Sequence, residues 1–381
     1  MPEAGPREDE ALGFLSATGG TLIGTILPFL VVLTVVVFVH ELGHFWVARR
    51  TGVAVSVFSI GFGPELLGWN DRKGTRWKLS AIPLGGYVRF IDDADAASRP
   101  DGERSQVDGA FQSKGLAARA AVVAAGPAAN FLFAIAVLAA LFYAFGKPMI
   151  APVAGSVEPD SPAAAAGFAP GDRILSIDGN PIESFADIQR IVMLRNGVSL
   201  AIDVDRAGNR LTLHATPRSR EIVDGFGEKQ TVPVLGLRQT NPTVELRSFG
   251  PFGALGEAVH ETWSIVDSTL SSVAGMFSGR TSTAQISGPI GIARVSGQVA
   301  ALGLIPLVNL AAILSISIGL INLFPIPMLD GGHLAFYAIE ALRGRPLPER
   351  AQEIGYGIGF AIVLGLMAFG VLNDIAKIAS G

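Results

Sequence analysis

The chain has 381 residues, 49% of them hydrophobic and only 16% charged, with a mean hydropathy of +0.45. That apolar surplus is more than a water-soluble globule needs, and it points to a protein whose solvent includes lipid. A formal net charge of -4 with no basic stripe interleaved with aromatics excludes nucleic acid as a partner, and the absence of cysteine excludes disulfides and thiolate metal ligands.

An acidic head, residues 1–20, opens the chain. Four stretches lack Asp, Glu, Lys and Arg: Ala11 to Val39, Ala120 to Gly146, Val295 to Leu329 and Ile354 to Asn373. Each reaches the roughly 20 helical residues that cross a hydrocarbon core of about 30 Å. The sequence therefore predicts transmembrane helices at 21–47, 119–146, 296–330 and 354–375. The first is read as a retained helix rather than a secretory leader. Its flank is acidic, no small-residue cleavage site closes it, and histidines lie at its far end.

Between the first two spans lies a loop, 48–118. Within Ser59 to Phe90, Trp77, Leu79 and Ala81 alternate with Arg76, Lys78 and Ser80, a period of two that predicts a β-hairpin. Asp92 to Gly115 is acidic and rich in small residues, and predicts a surface loop without regular structure.

The insert at 150–240 predicts a small α/β domain. Gly171-Asp172 and Asp178-Gly179 mark turns around the short apolar strand Ile174 to Ile177. Phe185, Ile188, Ile191 and Val192 recur at helical spacing, while Leu200 to Val204 and Leu211 to His214 alternate as strands. Residues 241–294 predict a juxtamembrane helical region with Phe252, Leu255, Val259, Trp263 and Ile265 as its apolar side chains.

The loop at 331–353 carries Arg343, Arg345 and Arg350, and the loop at 48–118 carries Arg49, Arg50, Arg72, Lys73, Arg76 and Lys78. The head has only Arg7 and the tail at 376–381 only Lys377. The positive-inside rule then places both loops in the cytoplasm, and both termini and the insert outside.

The chemistry is concentrated in His40-Glu41-Leu42-Gly43-His44. On a helix, residues four apart share a face, so the two imidazoles can hold one Zn2+ while Glu41 acts as general base on the attacking water. Ionisable groups at membrane depth are costly and by default functional. A catalytic zinc takes three protein ligands. His214 and His260 fall in the outer insert, whereas Asp330 ends the third apolar run, which descends to the same depth as His44. Asp330 is the expected third ligand. The Pro325, Pro327 and Gly331-Gly332 around it break the helix, which is tolerated at that depth only beside a cavity. Asn322 offers an amide to a developing oxyanion or a substrate backbone, or equally to a neighbouring helix. His333, beyond the glycine pair, is expected to have a structural or supporting part.

These residues resemble the site-2 protease family of intramembrane zinc metalloproteases, in its bacterial form, over nearly the whole chain after the head. His40 to His44 resembles the family's HExxH. Asn322-Leu-Phe-Pro325-Ile-Pro327-Met-Leu-Asp330-Gly331 resembles its second motif, which implies Asp330 as third ligand and Asn322 in substrate or transition-state binding. Ile60-Gly-Phe-Gly-Pro64, Pro83-Leu-Gly-Gly-Tyr87 and Gly126-Pro-Ala-Ala-Asn130 are further matches. Ala166-Gly-Phe-Ala-Pro-Gly-Asp172, followed by Ile174, Ile177 and Asp178-Gly179, resembles a PDZ domain, present once where well-studied relatives carry two in tandem.

The resemblance implies a polytopic α-helical membrane protein of four transmembrane helices, with a membrane-associated β-hairpin and an inserted PDZ domain, in the bacterial inner membrane. It also implies zinc as cofactor and the lipid bilayer as surroundings. Its substrates would be single-pass transmembrane proteins of the anti-sigma-factor type, or signal-peptide remnants, after a first extracytoplasmic cut, with extracytoplasmic peptide termini at the PDZ domain. Two other readings compete: a membrane PDZ adaptor without activity and a metal transporter. A complete set of His40, Glu41, His44 and Asp330 favours hydrolysis over both.

Overall fold

The structure, a computed structural model, describes residues 8–92, 108–223, 229–240, 243–277 and 287–380. Most of the loop expected at Asp92 to Gly115, and the first seven residues of the acidic head, lie outside the described residues. The chain divides into two compact units, one made of Met1–Ala140, Leu255–Ser272 and Ala284–Gly381, the other of Leu141–Ala254 and Val273–Thr283.

In the first unit the opening apolar run forms one helix, α1 (Glu8–Arg50), which passes through Pro28 and closes on Arg49 and Arg50. Two cations in the last turn suit the negative end of the helix dipole. Strands β1 (Val55–Asn70) and β2 (Arg76–Phe90) pair antiparallel, Trp69 opposite Trp77 and Phe62 opposite Ile82. Asp71 closes the turn between them by accepting from the amides of Lys73 and Thr75 at 2.9 and 3.1 Å.

The pairing is more elaborate than a simple hairpin. Phe58, Ser59 and Ile60 pair with Trp77, Lys78 and Leu79 on one edge and with Val88, Tyr87 and Gly86 on the other, because β2 doubles back. Aromatic packing pins this sheet to α1. The fully buried Phe58 stacks on Trp77 at 4.3 Å and meets Phe38 and Phe45 of α1 edge-on at 5.8 and 5.4 Å. These T-shaped contacts favour the ring quadrupoles over a face-to-face stack.

Helix α2 (Leu116–Phe145) crosses α1 at very close range. A Cβ on Gly43 would stand 2.2 Å from the Ala125 carbonyl, so only glycine allows this approach.

The second unit starts with β3 (Lys147–Ile150), β4 (Ser156–Val157), α3 (Pro162–Ala165), β5 (Arg173–Ile177), β6 (Asn180–Pro181) and α4 (Phe185–Leu194). It continues through β7 (Leu200–Arg206), β8 (Asn209–Ala215), β9 (Arg218–Val223), β10 (Lys229–Val234), β11 (Leu237–Arg238) and β12 (Val244–Arg247). Its main sheet has the order β6-β5-β7-β8. Phe168, Ile174, Ile177, Ile188, Leu200 and Ile202 form its core. Helix α4 begins with a complete capping box between Ser184 and Asp187.

Helices α5 (Pro251–Phe277), α6 (Pro289–Ala301), α7 (Leu304–Asn322), α8 (Asp330–Arg343) and α9 (Glu349–Ser380) complete the chain. The stretch 296–330, read from sequence as a single span, is divided. It breaks at Gly303, whose φ of 116° no helix contains, and leaves the helical path again after Asn322. The helix long and apolar enough to cross a membrane there is Leu304–Asn322, beside Ile23–Arg50, Leu116–Phe145 and Arg350–Lys377.

Val32 and Val36 of α1 pack against Ala311, Leu307 and Leu314 of α7. Helix α9 leaves Ile358, Phe360, Leu364, Leu366 and Leu372 exposed, a surface suited to acyl chains rather than water.

Candidate active site

Helical geometry brings His40 and His44 onto one face of α1, their rings 4.8 Å apart and nearly perpendicular, with the two Nε2 atoms 3.2 Å from each other. The third group arrives from a distant part of the chain. Beyond Asn322 the backbone folds back on itself, with Met328 held at φ 90°, a strained value for a side-chain-bearing residue. Asp330 then starts α8. This packing needs the two glycines that follow. A Cβ on Gly331 would lie 2.3 Å from the Leu323 and Phe324 carbonyls, and one on Gly332 would lie 2.4 Å from the Ile326 carbonyl.

Asp330 Oδ2 stands 3.1 Å from His40 Nε2 and 3.5 Å from His44 Nε2, yet it is buried and makes no hydrogen bond of good geometry. Three electron-rich atoms converging on one point, one of them an orphaned carboxylate oxygen, call for a cation between them. Zinc bonds of about 2.0–2.2 Å in a tetrahedron separate the donor atoms by about 3.3–3.6 Å. The observed 3.1, 3.2 and 3.5 Å fit that spacing, and His, His and carboxylate are an ordinary zinc donor set.

Glu41 is close enough to interact electrostatically with His40, His44 and Asp330, and the Val88 backbone lies beside its carboxylate. Gly86 lies beside it: a Cβ there would come 3.5 Å from Glu41 Cγ. The doubled-back end of β2 therefore borders the site. Asn322, the last residue of α7, is half-buried, and among the described residues its side chain has no hydrogen-bond partner. His333 stacks obliquely on Tyr356 at 5.7 Å and is not one of the converging groups. His214 sits on β8, and His260 lies on α5 near Glu257 at 3.9 Å.

Three residues that sequence reasoning gave no role touch the histidines, all of them on α2. Val122 offers its carbonyl to His44 Nδ1 at 2.9 Å. Asn130, fully buried, places its carboxamide 3.3 Å from His40 Nδ1. Gly126 leaves room for both rings. The motif Gly126-Pro-Ala-Ala-Asn130 was visible as a pattern, and its four-residue spacing is the signal that its ends share a helix face.

The sequence pattern of Peptidase family M50 matches residues 28–366. A Rhizobium meliloti protein provisionally named a zinc metalloprotease is 48% identical, over 92% of this chain and 96% of its own. The metalloprotease MmpA of Caulobacter vibrioides is 41% identical, over 92% of this chain and 95% of its own. The regulator of sigma-E protease RseP of Salmonella typhimurium is 32% identical, over 94% of this chain and the whole of its own. With a family match spanning most of the chain and the His-His-Asp cluster at its centre, the chain belongs to peptidase family M50 and is a zinc metalloprotease of the site-2 type.

Proposed function

We propose that the protein cleaves single-pass membrane proteins within the bilayer, with His40, His44 and Asp330 as the zinc ligands and Glu41 as the general base. The observation that carries this reading is the convergence of Asp330 Oδ2 on both histidine Nε2 atoms beside Glu41. Zinc, when bound, supplies Lewis acidity that lowers the pKa of a nearby water and polarises the scissile carbonyl. Glu41 takes a proton from that water as its oxygen bonds the carbonyl carbon, then delivers it to the leaving nitrogen as the C–N bond breaks. Asn322, whose side chain has no hydrogen-bond partner among the described residues, is available to donate to the oxyanion or to the substrate backbone.

A transmembrane substrate hides its amides in its own helix and must be held extended before attack. The doubled-back end of β2, with Gly86 and Val88 against Glu41, offers a strand edge for that purpose in a membrane-associated sheet. The second unit is read as a PDZ domain, supported by its Ala166-to-Asp172 motif and a sheet flanked by short helices, and would receive extracytoplasmic peptide termini. The charge bias of the loops supports a bacterial inner membrane orientation with termini and PDZ domain periplasmic and chemistry near the cytoplasmic face. Substrates of the anti-sigma-factor or signal-peptide-remnant type, already trimmed outside the membrane, suit such a division of labour.

The test is cleavage of a model transmembrane substrate by the detergent-solubilised chain, beside Glu41→Gln and a chelated sample. Retained zinc with cleavage down roughly 10²–10⁴-fold in Glu41→Gln is expected. Equal cleavage in all three samples would sink the mechanism.

A further inference from the structure

Helix α2 supports the two histidines differently, and the difference has a chemical consequence. A neutral imidazole gives a metal the nitrogen that carries no proton. A histidine that presents Nε2 must therefore keep its proton on Nδ1, and that proton needs an acceptor. His44 Nδ1 has one in the Val122 carbonyl, which can only accept. His40 Nδ1 instead faces the Asn130 carboxamide at 3.3 Å, with the amide nitrogen turned towards the ring.

That orientation sets a donor against Nδ1, which puts the proton on Nε2 and closes His40 to a cation. It also leaves Asn130 Oδ1 buried without a partner. A half-turn of the terminal carboxamide exchanges the two atoms without moving the helix. Oδ1 then receives the Nδ1 proton and gains the donor it lacks, and Nε2 presents its lone pair towards Asp330 and His44.

Asn130 is well placed to hold that position. Its residue is fully buried, its backbone carbonyl accepts from Ser315 Oγ at 3.0 Å, and Gly319 of α7 closes over it, since a Cβ there would come 3.2 Å from Asn130 Cβ.

We propose that Asn130 is the positioning residue for His40, its side-chain oxygen accepting the Nδ1 proton and so selecting the tautomer that can bind a metal. The inference rests on the zinc reading above. It makes α2 a tautomer-setting element for both histidines, through a backbone carbonyl for His44 and a side-chain carbonyl for His40.

The experiment uses the full chain in detergent, as wild type, Asn130→Leu and Asn130→Asp. Leucine has nearly the same shape without an acceptor, and aspartate keeps an acceptor. Zinc occupancy is measured against a competing chelator, and 15N spectra of histidine-labelled, zinc-free protein report which ring nitrogen carries the proton. Asn130→Leu should lose roughly 10–100-fold in zinc affinity and show His40 in mixed tautomers, while Asn130→Asp should stay near wild type in both. Wild-type zinc affinity in Asn130→Leu would overturn the proposal. So would an equal loss in Asn130→Asp, which keeps the inference testable where the leucine variant fails to fold, and so would a wild-type His40 protonated at Nε2. A wild type that takes up no zinc would instead refute the metal reading, and the tautomer spectra would still decide the role of Asn130.

Discussion

The backbone of Gly126 passes so close to His44 that a Cβ there would stand 2.2 Å from Nε2, and 2.9 Å from His40 Cε1. The nearest atoms lie on the edges of the two rings that face Asp330, and the rings cannot retreat without moving their Nε2 atoms away from it. Gly126→Ala should therefore preserve or improve helix formation in α2, where alanine is favoured over glycine by about 1 kcal/mol, yet displace the histidines. Helicity by circular dichroism should be unchanged and zinc affinity reduced at least about 10-fold, in the range expected when ligand positioning is lost. Wild-type zinc affinity in this variant would mean that the rings have more freedom than the packing allows.

Asp330 contributes the only converging carboxylate among the described residues. Asp330→Ala should release most bound zinc and abolish cleavage, and Asp330→Asn should bind zinc weakly because a neutral amide is a poorer donor. Zinc removed from the wild type by chelation should restore cleavage when returned, whereas it should not rescue Asp330→Ala. Metal analysis beside a cleavage assay checks all of this; unchanged zinc and activity in Asp330→Ala would remove it from the site.

Asp374 of α9 is buried and accepts hydrogen bonds from the amides of Gly288 and Gly291, at 3.0 and 2.8 Å, at the start of α6. Beside this contact the backbones of Gly288 and Gly370 approach directly, as a Cβ on Gly288 would come 2.5 Å from the Gly370 backbone. Asp374→Ala leaves both amides unpartnered, at about 1–3 kcal/mol for each buried donor. Thermal unfolding in detergent should begin at lower temperature, with proteolytic cleavage near residue 288 accelerated and zinc content retained. An unchanged melting profile would show that this cap does not hold α6.

In the second unit, Asp172 is buried, and burial alone would raise its carboxyl pKa. The Arg206 guanidinium, bonding both oxygens at 2.7 Å, and the Ala169 amide at 2.9 Å outweigh that and hold it below its ordinary value. A depressed carboxyl stabilises the fold above its unfolded pKa, about 3.9, and that contribution is lost as pH falls through the lower folded value. Amide exchange in β5 and β7 should therefore quicken as pH drops below about 4, after correction for the intrinsic rate. Asp172→Asn should exchange faster at neutral pH and lose that part of the pH dependence; an identical pH profile would refute the assignment.

What could be read along the chain was what a few adjacent turns encode. His40, Glu41 and His44 lie within one helical turn and a residue, so their spacing alone puts the imidazoles on one face. Apolar runs marked the helices able to cross a membrane, since hydrocarbon sets their length whatever they pack against. The interruption at Gly303 was not legible, because an uncharged glycine inside an apolar run reads as continuous hydropathy while its backbone angle ends the helix. The doubling back of β2 was likewise hidden: alternation gives a strand its faces but not its number of partners.

The sequence by itself determined the chemistry available: two imidazoles and a carboxylate on one helix, a second carboxylate after a helix-breaking segment, and no thiol. Only the tertiary structure decided how they meet. It set the distance of Asp330 from the histidines, the carbonyl of Val122 and the carboxamide of Asn130 behind the rings, and the bare backbone of Gly126 between them. Spacing within a helix is a property of its own hydrogen bonds, whereas the approach of α8 and α2 to α1 depends on close packing of backbones far apart in sequence.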